Sequence, residues 1–180
     1  MKVHIEYGWP EGRWHGKLLT KALSDSGYEV AASANSADAI IAHSAGCYMM
    51  PPDNKAKAVL LIGLPNWPDR PVYKCTLQKI KLETKNKYWF TKTLFHIFYA
   101  LSLPTTFRTW RAFQRKQINV GKAEVILIRN ELDTYMEDRV SQSLANYRQW
   151  DYIKIPGQHD DIWENPQPYL EVLTKSVQNF

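Results

Sequence analysis

Two runs of strand length with entirely apolar centres constrain this chain more than any other feature. They are Ala58 to Gly63 (AVLLIG) and Glu124 to Arg129 (EVILIR). Neither run alternates apolar with polar residues, so a strand made from either one must be covered on both faces. Strands of this kind are typical of parallel sheets, whose connecting helices pack on the two sides. The runs therefore predict an α/β fold.

Weaker strand signals alternate with helical periodicity along the rest of the chain, which favours a mostly parallel open sheet flanked by helices. The spacing from Ser33 to Ala37 is too short for a crossover between parallel neighbours. The strand before it is therefore expected to be irregular or to lie at an edge. Further strands are predicted over residues 3–7, 28–32, 37–42 and 152–155. Helices are predicted over residues 14–26, 45–50, 140–147 and 165–177, the one over 45–50 being short.

Each longer helix has an apolar stripe that predicts its buried face. Gly27 follows the first helix where a glycine in the left-handed conformation would end it, and Asn165 with Pro166 opens the last. The stripes are Trp14, Leu18, Leu19, Ala22 and Leu23 in the first helix, Val140, Leu144 and Tyr147 in the second, and Leu170, Leu173 and Val177 in the last.

Length and composition favour one domain over residues 1–180. A chain of 180 residues that is 44% hydrophobic can bury one good core but not two ordinary ones. The two cysteines, Cys47 and Cys75, are interpreted as reduced thiols, since they form neither a disulfide framework nor a CxxC pair. The N-terminus has no signal-peptide pattern, so a cytoplasmic location is expected.

The segment 73–119 is longer than one crossover requires and is predicted to be a cap inserted into the sheet. It holds ten Lys or Arg against one acid, Glu83, and so carries a net charge of +9. Because the whole chain carries +5, the remainder carries −4. A basic charge confined to one segment, with no binding motif, argues against a nucleic-acid-binding protein.

The cap contains an amphipathic helix, predicted over Lys87 to Leu103, with Phe90, Leu94 and Phe98 on its apolar face. The favoured interpretation is that this face closes a substrate pocket. Its apolar run is too short to span a bilayer. Interleaved basic and aromatic residues also allow contact with an anionic membrane surface, and they suggest an ester substrate that is anionic or membrane-derived.

Ser44 lies in Ile40-Ile41-Ala42-His43-Ser44-Ala45-Gly46-Cys47, where a strand is followed at once by a short helix. A serine in x-Ser-x-Gly between a strand and a helix can be held on a sharp turn with its hydroxyl exposed. The Ala45 N–H would then point at a developing oxyanion. Taken alone, the motif fits a helix-capping serine equally well.

Asp133 and His159 strengthen the catalytic interpretation of Ser44. Each follows a predicted strand, at the edge where catalytic groups gather in open α/β sheets. Their order along the chain, Ser, Asp, His, is the order of a nucleophile-elbow triad. Glu131, two residues before Asp133, is the second candidate for the acid. His43 is interpreted as a packing and hydrogen-bonding residue, and Cys47 as buried packing.

These motifs resemble the α/β-hydrolase fold family, and the likeness extends over nearly the whole chain outside the insert. Tyr7-Gly8-Trp9-Pro10 stands where the family often has His-Gly-x, and Ala42 replaces the first glycine of Gly-x-Ser-x-Gly. The resemblance implies that the Trp9 N–H is a second oxyanion donor beside that of Ala45. In size the chain is similar to the small serine hydrolases typified by retinoblastoma-binding protein 9.

The sequence thus predicts a serine hydrolase, and a carboxylesterase for small or medium acyl esters in particular. A peptidase or amidase would use the same triad. The alternative is a catalytically silent binding protein that uses the basic aromatic cap for a partner. No cofactor is implied, and no metal site is expected, because Asp160 and Asp161 have no His or Cys partner at ligand spacing. Those two carboxylates are interpreted as stabilising their loop.

Overall fold

The computed structural model describes residues 1–8, 14–65, 93–94, 97, 111, 117–133 and 137–178. In these residues six strands form one sheet, in the order β2-β1-β3-β4-β5-β6, and every neighbouring pair is parallel. The predicted parallel α/β sheet is confirmed. The strands are β1 (Lys2–Glu6), β2 (Glu29–Val30), β3 (Ala39–His43), β4 (Ala58–Ile62), β5 (Glu124–Asn130) and β6 (Asp151–Ile155), and the α-helices are α1 (Lys17–Asp25), α2 (Asp138–Arg148) and α3 (Gln167–Val177).

The sheet is buried on both faces, as its apolar central strands require. Successive side chains of a strand point to opposite faces, so Ile41 and Ile40 of β3 enter different cores. The first core contains α1 and α3, together with Trp163. The second contains α2 and the turn that carries Cys47.

Both apolar runs form the predicted strands, and every residue of β4 is buried. In the sheet Leu60 lies beside Ile41 of β3 on one side and Ile126 of β5 on the other. All three belong to the core shared with α1 and α3. Burying one such side chain contributes about 1.5–3 kcal/mol, so this row is a large part of the packing that fixes the register.

Strand β2 is only two residues long and lies at the edge of the sheet, where an irregular strand was predicted. It pairs with β1, and β1 pairs with β3 on its other side. The chain must therefore cross the end of β1 within residues 31–38, which include a short 3-10 helix, Ala34–Ser36. Because β2 ends at Val30, the residues after it are available for this crossing.

Helix α1 buries part of the predicted stripe. Leu19 and Leu23 are fully buried, as expected, but Trp14 and Leu18 are 62% and 54% exposed. Including those two in the buried face was wrong, because α1 begins at Lys17 and only one narrow side of it contacts the sheet. Gly27 has a φ of +82° and ends the helix as predicted.

Helix α2 buries a different face from the one predicted. Ser141 and Ala145 are buried, whereas Val140 and Leu144 are only partly buried and Tyr147 is 82% exposed. The buried positions of this helix carry small side chains, which an apolar stripe does not reveal. In α3 the predicted Leu170 and Leu173 are buried, together with Tyr169, and Val177 is partly buried.

The insert 73–119 lies almost wholly outside the described residues. Leu94 and Ile97 have helical backbone, and their side chains are 49% and 50% exposed. The predicted helix from Lys87 to Leu103 and its role as a cap stay predictions. Within the described ranges, no helix has the length and apolar character needed to cross a bilayer.

Candidate active site

Ser44 occupies a strained position at the carboxyl end of β3, where the chain turns into a 3-10 helix, Ser44–Tyr48. Its φ is 52°, in the left-handed region that a residue with a Cβ rarely adopts. Such a conformation costs about 1–3 kcal/mol and is frequent at functional turns. The residue in the N-cap position of the 3-10 helix is His43, not Ser44. The geometry therefore favours a sharp-turn serine over a capping serine.

Small residues after Ser44 let this turn pack against the end of β1. A Cβ on Gly46 would fall on the carbonyl oxygen of Glu6 and within 2.9 Å of the carbonyl carbons of Glu6 and Tyr7. Only glycine fits there without a shift of backbone. Among the described residues, none accepts a hydrogen bond from the Ala45 N–H. Trp9, the other expected oxyanion donor, lies outside the described residues.

A short hydrogen bond joins the predicted acid and base. His159 Nδ1 lies 2.7 Å from Asp133 Oδ2, and both side chains are buried. Because a carboxylate accepts, Nδ1 donates, which leaves Nε2 of the neutral ring as the nitrogen that can take a proton. Arg129 donates to the backbone carbonyls of Glu131 and Asp133, at 3.1 and 3.2 Å, and fixes this loop. The Glu131 side chain is exposed and takes no part in the pair.

The loops that carry Asp133 and His159 are joined along their backbones. The Glu131 N–H donates to Ile155 at 3.0 Å, and the Leu132 N–H donates to Gly157 at 2.9 Å. These bonds continue the pairing of β5 with β6 beyond the ends of both strands. The acid and the base are therefore held by an extension of the sheet and not by their side-chain contact alone.

Asn130, the last residue of β5, hydrogen-bonds to the loop that carries His159. Its side chain is fully buried, and its Nδ2 donates to the carbonyls of Gln158 and, at 3.4 Å, His159. Its Oδ1 accepts a 2.9 Å hydrogen bond from the Tyr169 hydroxyl. Burial raises the pKa of that hydroxyl above its usual 10.0, so it stays a donor. We did not predict a role for Asn130, although a polar residue that ends an apolar run at this edge was a usable signal.

His43 connects the serine turn to the histidine loop. It is fully buried, and its Nε2 donates to the backbone carbonyl of His159 at 2.9 Å. Its ring lies 4.9 Å from the His159 ring and 5.0 Å from Trp163, edge to face in the second case. Trp163 in turn stacks on Tyr7 at 5.5 Å. The predicted packing and hydrogen-bonding role of His43 agrees with these contacts.

Gly63, just after β4, lies against the acid and base. It has a φ of +57°, and a Cβ at this position would lie 2.8 Å from His159 Cε1, 2.9 Å from His159 Nδ1 and 3.5 Å from Asp133 Oδ2. The imidazole therefore occupies the space that any side chain at position 63 would need. Sequence reasoning missed this residue, although a glycine at the end of a buried strand often marks such a close approach.

Ser44, Asp133 and His159 all follow strands at the carboxyl edge of the parallel sheet, but one contact of a triad is absent. Within the described part of the chain, no hydrogen bond joins the Ser44 hydroxyl to His159. The two are connected indirectly, because His43 directly precedes Ser44 and donates to His159. Catalytic hydrogen bonds are often long in the absence of substrate.

Three side chains in the described residues place ligand atoms close enough for a metal ion. His43, His159 and Asp160 each offer one atom, all within 4.8 Å of one another. Two histidine nitrogens are already committed, since His43 Nε2 donates to a carbonyl and His159 Nδ1 to Asp133. A metal would have to use the other nitrogen of each ring. The hydrogen bonds instead fit a proton-transfer site, and the absence of a metal stays a prediction.

The remaining predicted site residues are less informative. Phe90 and Phe98 lie outside the described residues, and the described Leu94 is half exposed. Cys47 is fully buried, and its thiol faces the carbonyl of Ala42 at 3.3 Å, in line with the predicted packing role.

A cleft of about 510 Å³ lies between α1, β1 and the end of β2. It contains none of the residues predicted to be catalytic. Its lining includes His4, Tyr7, Lys17 and Lys21. Tyr7, which stacks on Trp163, is the residue that connects this cleft with the candidate active site.

Several solved structures are similar to this one over nearly the whole chain. ClbQ from the colibactin NRPS/PKS pathway matches with a TM-score of 0.65 and 12% identity, over 99% of this chain and 97% of that chain. A carboxylesterase of the ammonia-oxidizing thaumarchaeon Nitrososphaera gargenis matches with 0.62 and 10%, over 98% and 89%. The enol-lactonase of Burkholderia xenovorans matches with 0.59 and 10%, over 98% and 91%.

Sequence comparison adds no relative: no family model matches the chain, and no curated protein matches it. At identities of 10–12% the structural likeness establishes the fold alone. It agrees with the strand order, the parallel pairing and the helices on both faces. This chain has the α/β-hydrolase fold.

Proposed function

We propose that this protein is a serine hydrolase that cleaves carboxylic esters through Ser44, His159 and Asp133. The observation that carries the proposal is the buried 2.7 Å hydrogen bond between His159 and Asp133, at the sheet edge where Ser44 is held at positive φ. A buried carboxylate bonded to Nδ1 fixes the tautomer of the ring and stabilises its protonated form. A capping serine and a loop histidine would need neither feature.

In the proposed reaction His159 Nε2 removes the proton from the Ser44 hydroxyl as its oxygen attacks the ester carbonyl. The C–O bond to the alcohol breaks, and the same proton passes from Nε2 to the departing oxygen. Water then hydrolyses the acyl-enzyme with His159 again as the base. The Ala45 N–H, and by family resemblance the Trp9 N–H, would bind the oxyanion.

The size of the acyl group is proposed from the insert. The apolar residues Phe90, Leu94 and Phe98 of segment 73–119 would cover the acyl chain, which favours small or medium esters. Carboxylesterase and enol-lactonase activities of structures with this fold support ester chemistry. Ser44, His159 and Asp133 could also cleave amides, and the preferred leaving group would decide between an esterase and an amidase.

Covalent labelling tests the proposal directly. Intact protein is treated with a fluorophosphonate, and the modified residue is identified by peptide mass spectrometry. We expect labelling at Ser44 in wild type and its loss in Ser44→Ala and His159→Ala. Ser141→Ala is the matched control, because Ser141 of α2 is also buried but its hydroxyl donates to the backbone carbonyl of Glu137, the residue just before that helix.

Two outcomes would contradict the proposal. Labelling spread over several serines would show that Ser44 has no special reactivity. A folded wild type that resists the probe, and hydrolyses neither p-nitrophenyl acetate nor butyrate, would favour the silent binding protein. Circular dichroism of every variant separates loss of activity from loss of fold.

A further inference from the structure

Asp160 places a carboxylate beside the reactive nitrogen of the proposed base. Its Oδ1 lies 4.0 Å from His159 Nε2 and 3.8 Å from His43 Nε2. The His43 and His159 side chains are buried, whereas that of Asp160 is 53% exposed. The charge therefore lies where the buried site opens to solvent.

The carboxylate of Asp160 is not used to hold the loop together. Asp160 is in the N-cap position of a short 3-10 helix, Asp161–Trp163, yet no side-chain capping hydrogen bond is formed. Its backbone carbonyl, and not its side chain, accepts the Trp163 N–H at 3.0 Å. Among the described residues its carboxylate accepts no hydrogen bond, so the expected loop-stabilising role does not extend to this side chain.

The chemistry fixes which part of a substrate meets this charge. The departing oxygen receives its proton from His159 Nε2, so it must lie within about 3 Å of that atom. A substituent two or three bonds farther along the alcohol then comes within reach of Asp160 Oδ1, which is 4.0 Å from the same nitrogen. The acyl group lies on the other side of the scissile bond, so the alcohol is the part of the substrate considered for this carboxylate.

We propose that Asp160 is a specificity residue that favours esters of cationic alcohols, such as amino alcohols, over esters of neutral or anionic ones. This inference rests on the proposed function, since it requires His159 to protonate the leaving group. It concerns the alcohol only, and therefore differs from the anionic preference expected from the basic insert.

The experiment compares two esters of equal shape and different charge. Butyrylcholine carries a trimethylammonium group where 3,3-dimethylbutyl butyrate carries a neutral tert-butyl group. We expect the ratio of kcat/KM, cationic over neutral, to fall about threefold in Asp160→Asn, the factor that Coulomb's law gives for unit charges about 6 Å apart under water-like screening. Asp160→Lys should lower the ratio about threefold again, and both differences should shrink in about 0.5 M NaCl.

Asp151→Asn is the matched control, because it removes the same charge at the opposite, amino end of β6. A ratio that is unchanged in Asp160→Asn, or that changes equally in Asp151→Asn, would overturn the role of Asp160 while leaving the serine hydrolase intact. If neither ester shows hydrolysis that Ser44→Ala abolishes, both proposals fail together. Taking a ratio removes any general loss of activity caused by substitution beside the base.

Discussion

Replacing Gly63 with alanine tests whether the position of the His159 ring limits catalysis. The new Cβ would lie 2.8 and 2.9 Å from two ring atoms, and 3.5 Å from the carboxylate that holds the ring. The ring contacts must lengthen by about 0.5–1 Å to reach ordinary van der Waals separation. Misplacement of a catalytic group by about 1 Å costs on the order of 100-fold in rate. We therefore expect kcat to fall about 10–100-fold with KM nearly unchanged.

The same substitution also affects stability, and that effect has its own control. An alanine in the left-handed region costs about 1–2 kcal/mol, and overpacking adds about 1–3 kcal/mol. Gly27 has a similar positive φ, +82°, but no heavy atom lies within 4 Å of its Cβ position. Gly27→Ala should therefore lose only the conformational part of the stability and keep full activity.

The assays are steady-state hydrolysis of p-nitrophenyl butyrate and unfolding in urea. If Gly63→Ala keeps kcat within about twofold of wild type, the close approach of Gly63 to His159 does not position the base. That result would refute the reasoning whatever the change in stability, because the Gly27→Ala control accounts for strain alone.

Three further predictions concern the surroundings of the site. Asn130→Ala leaves the carbonyls of the histidine loop without their buried donor, so we expect a loss of about 2–3 kcal/mol in urea unfolding, and a stability equal to wild type would contradict it. Burial raises the pKa of Tyr169 in the folded protein above the value near 10 that it has in the unfolded chain. The folded state therefore keeps its full stability below that pH and loses stability as the pH rises above it. Tyr169→Phe should consequently flatten the fall of stability between about pH 10 and 11. Activity should survive dialysis against EDTA, because the proposed reaction needs His159 Nε2 as a base and a metal bound there would occupy that nitrogen; loss on chelation with recovery in zinc would show the reverse.

The positions of the strands along the chain and the turns at their carboxyl ends were predictable because apolar strands and turn residues leave local signals, whereas the order of the strands in the sheet was not predicted. The apolar centres of β4 and β5 admit few other structures. The buried faces of α1 and α2 were less predictable, since they depend on how closely each helix approaches the sheet. Tyr147 continues the apolar stripe of α2 and is nevertheless exposed, while Ser141 is buried.

In the candidate site, too, some residues could be predicted from local sequence signals and others could not. Ser44, Asp133 and His159 follow strands and carry reactive groups, so their residue types were sufficient to propose them. Gly63 and Asn130 act through contacts with residues distant in sequence, which no local pattern encodes. The side-chain direction of Asp160 was equally inaccessible, because an aspartate before a short helix most often caps it.

The strand order also bears on when activity can arise during folding. From β4 to β6 each strand pairs with the one before it in the chain, so this part of the sheet can grow outward by successive addition. The serine turn belongs to the early part of that sequence, whereas Asp133 and His159 follow the last two strands. Recovery of hydrolysis after dilution from urea should therefore lag behind recovery of far-ultraviolet circular dichroism. The time course of enzymatic activity would then report when β5 and β6 join the sheet.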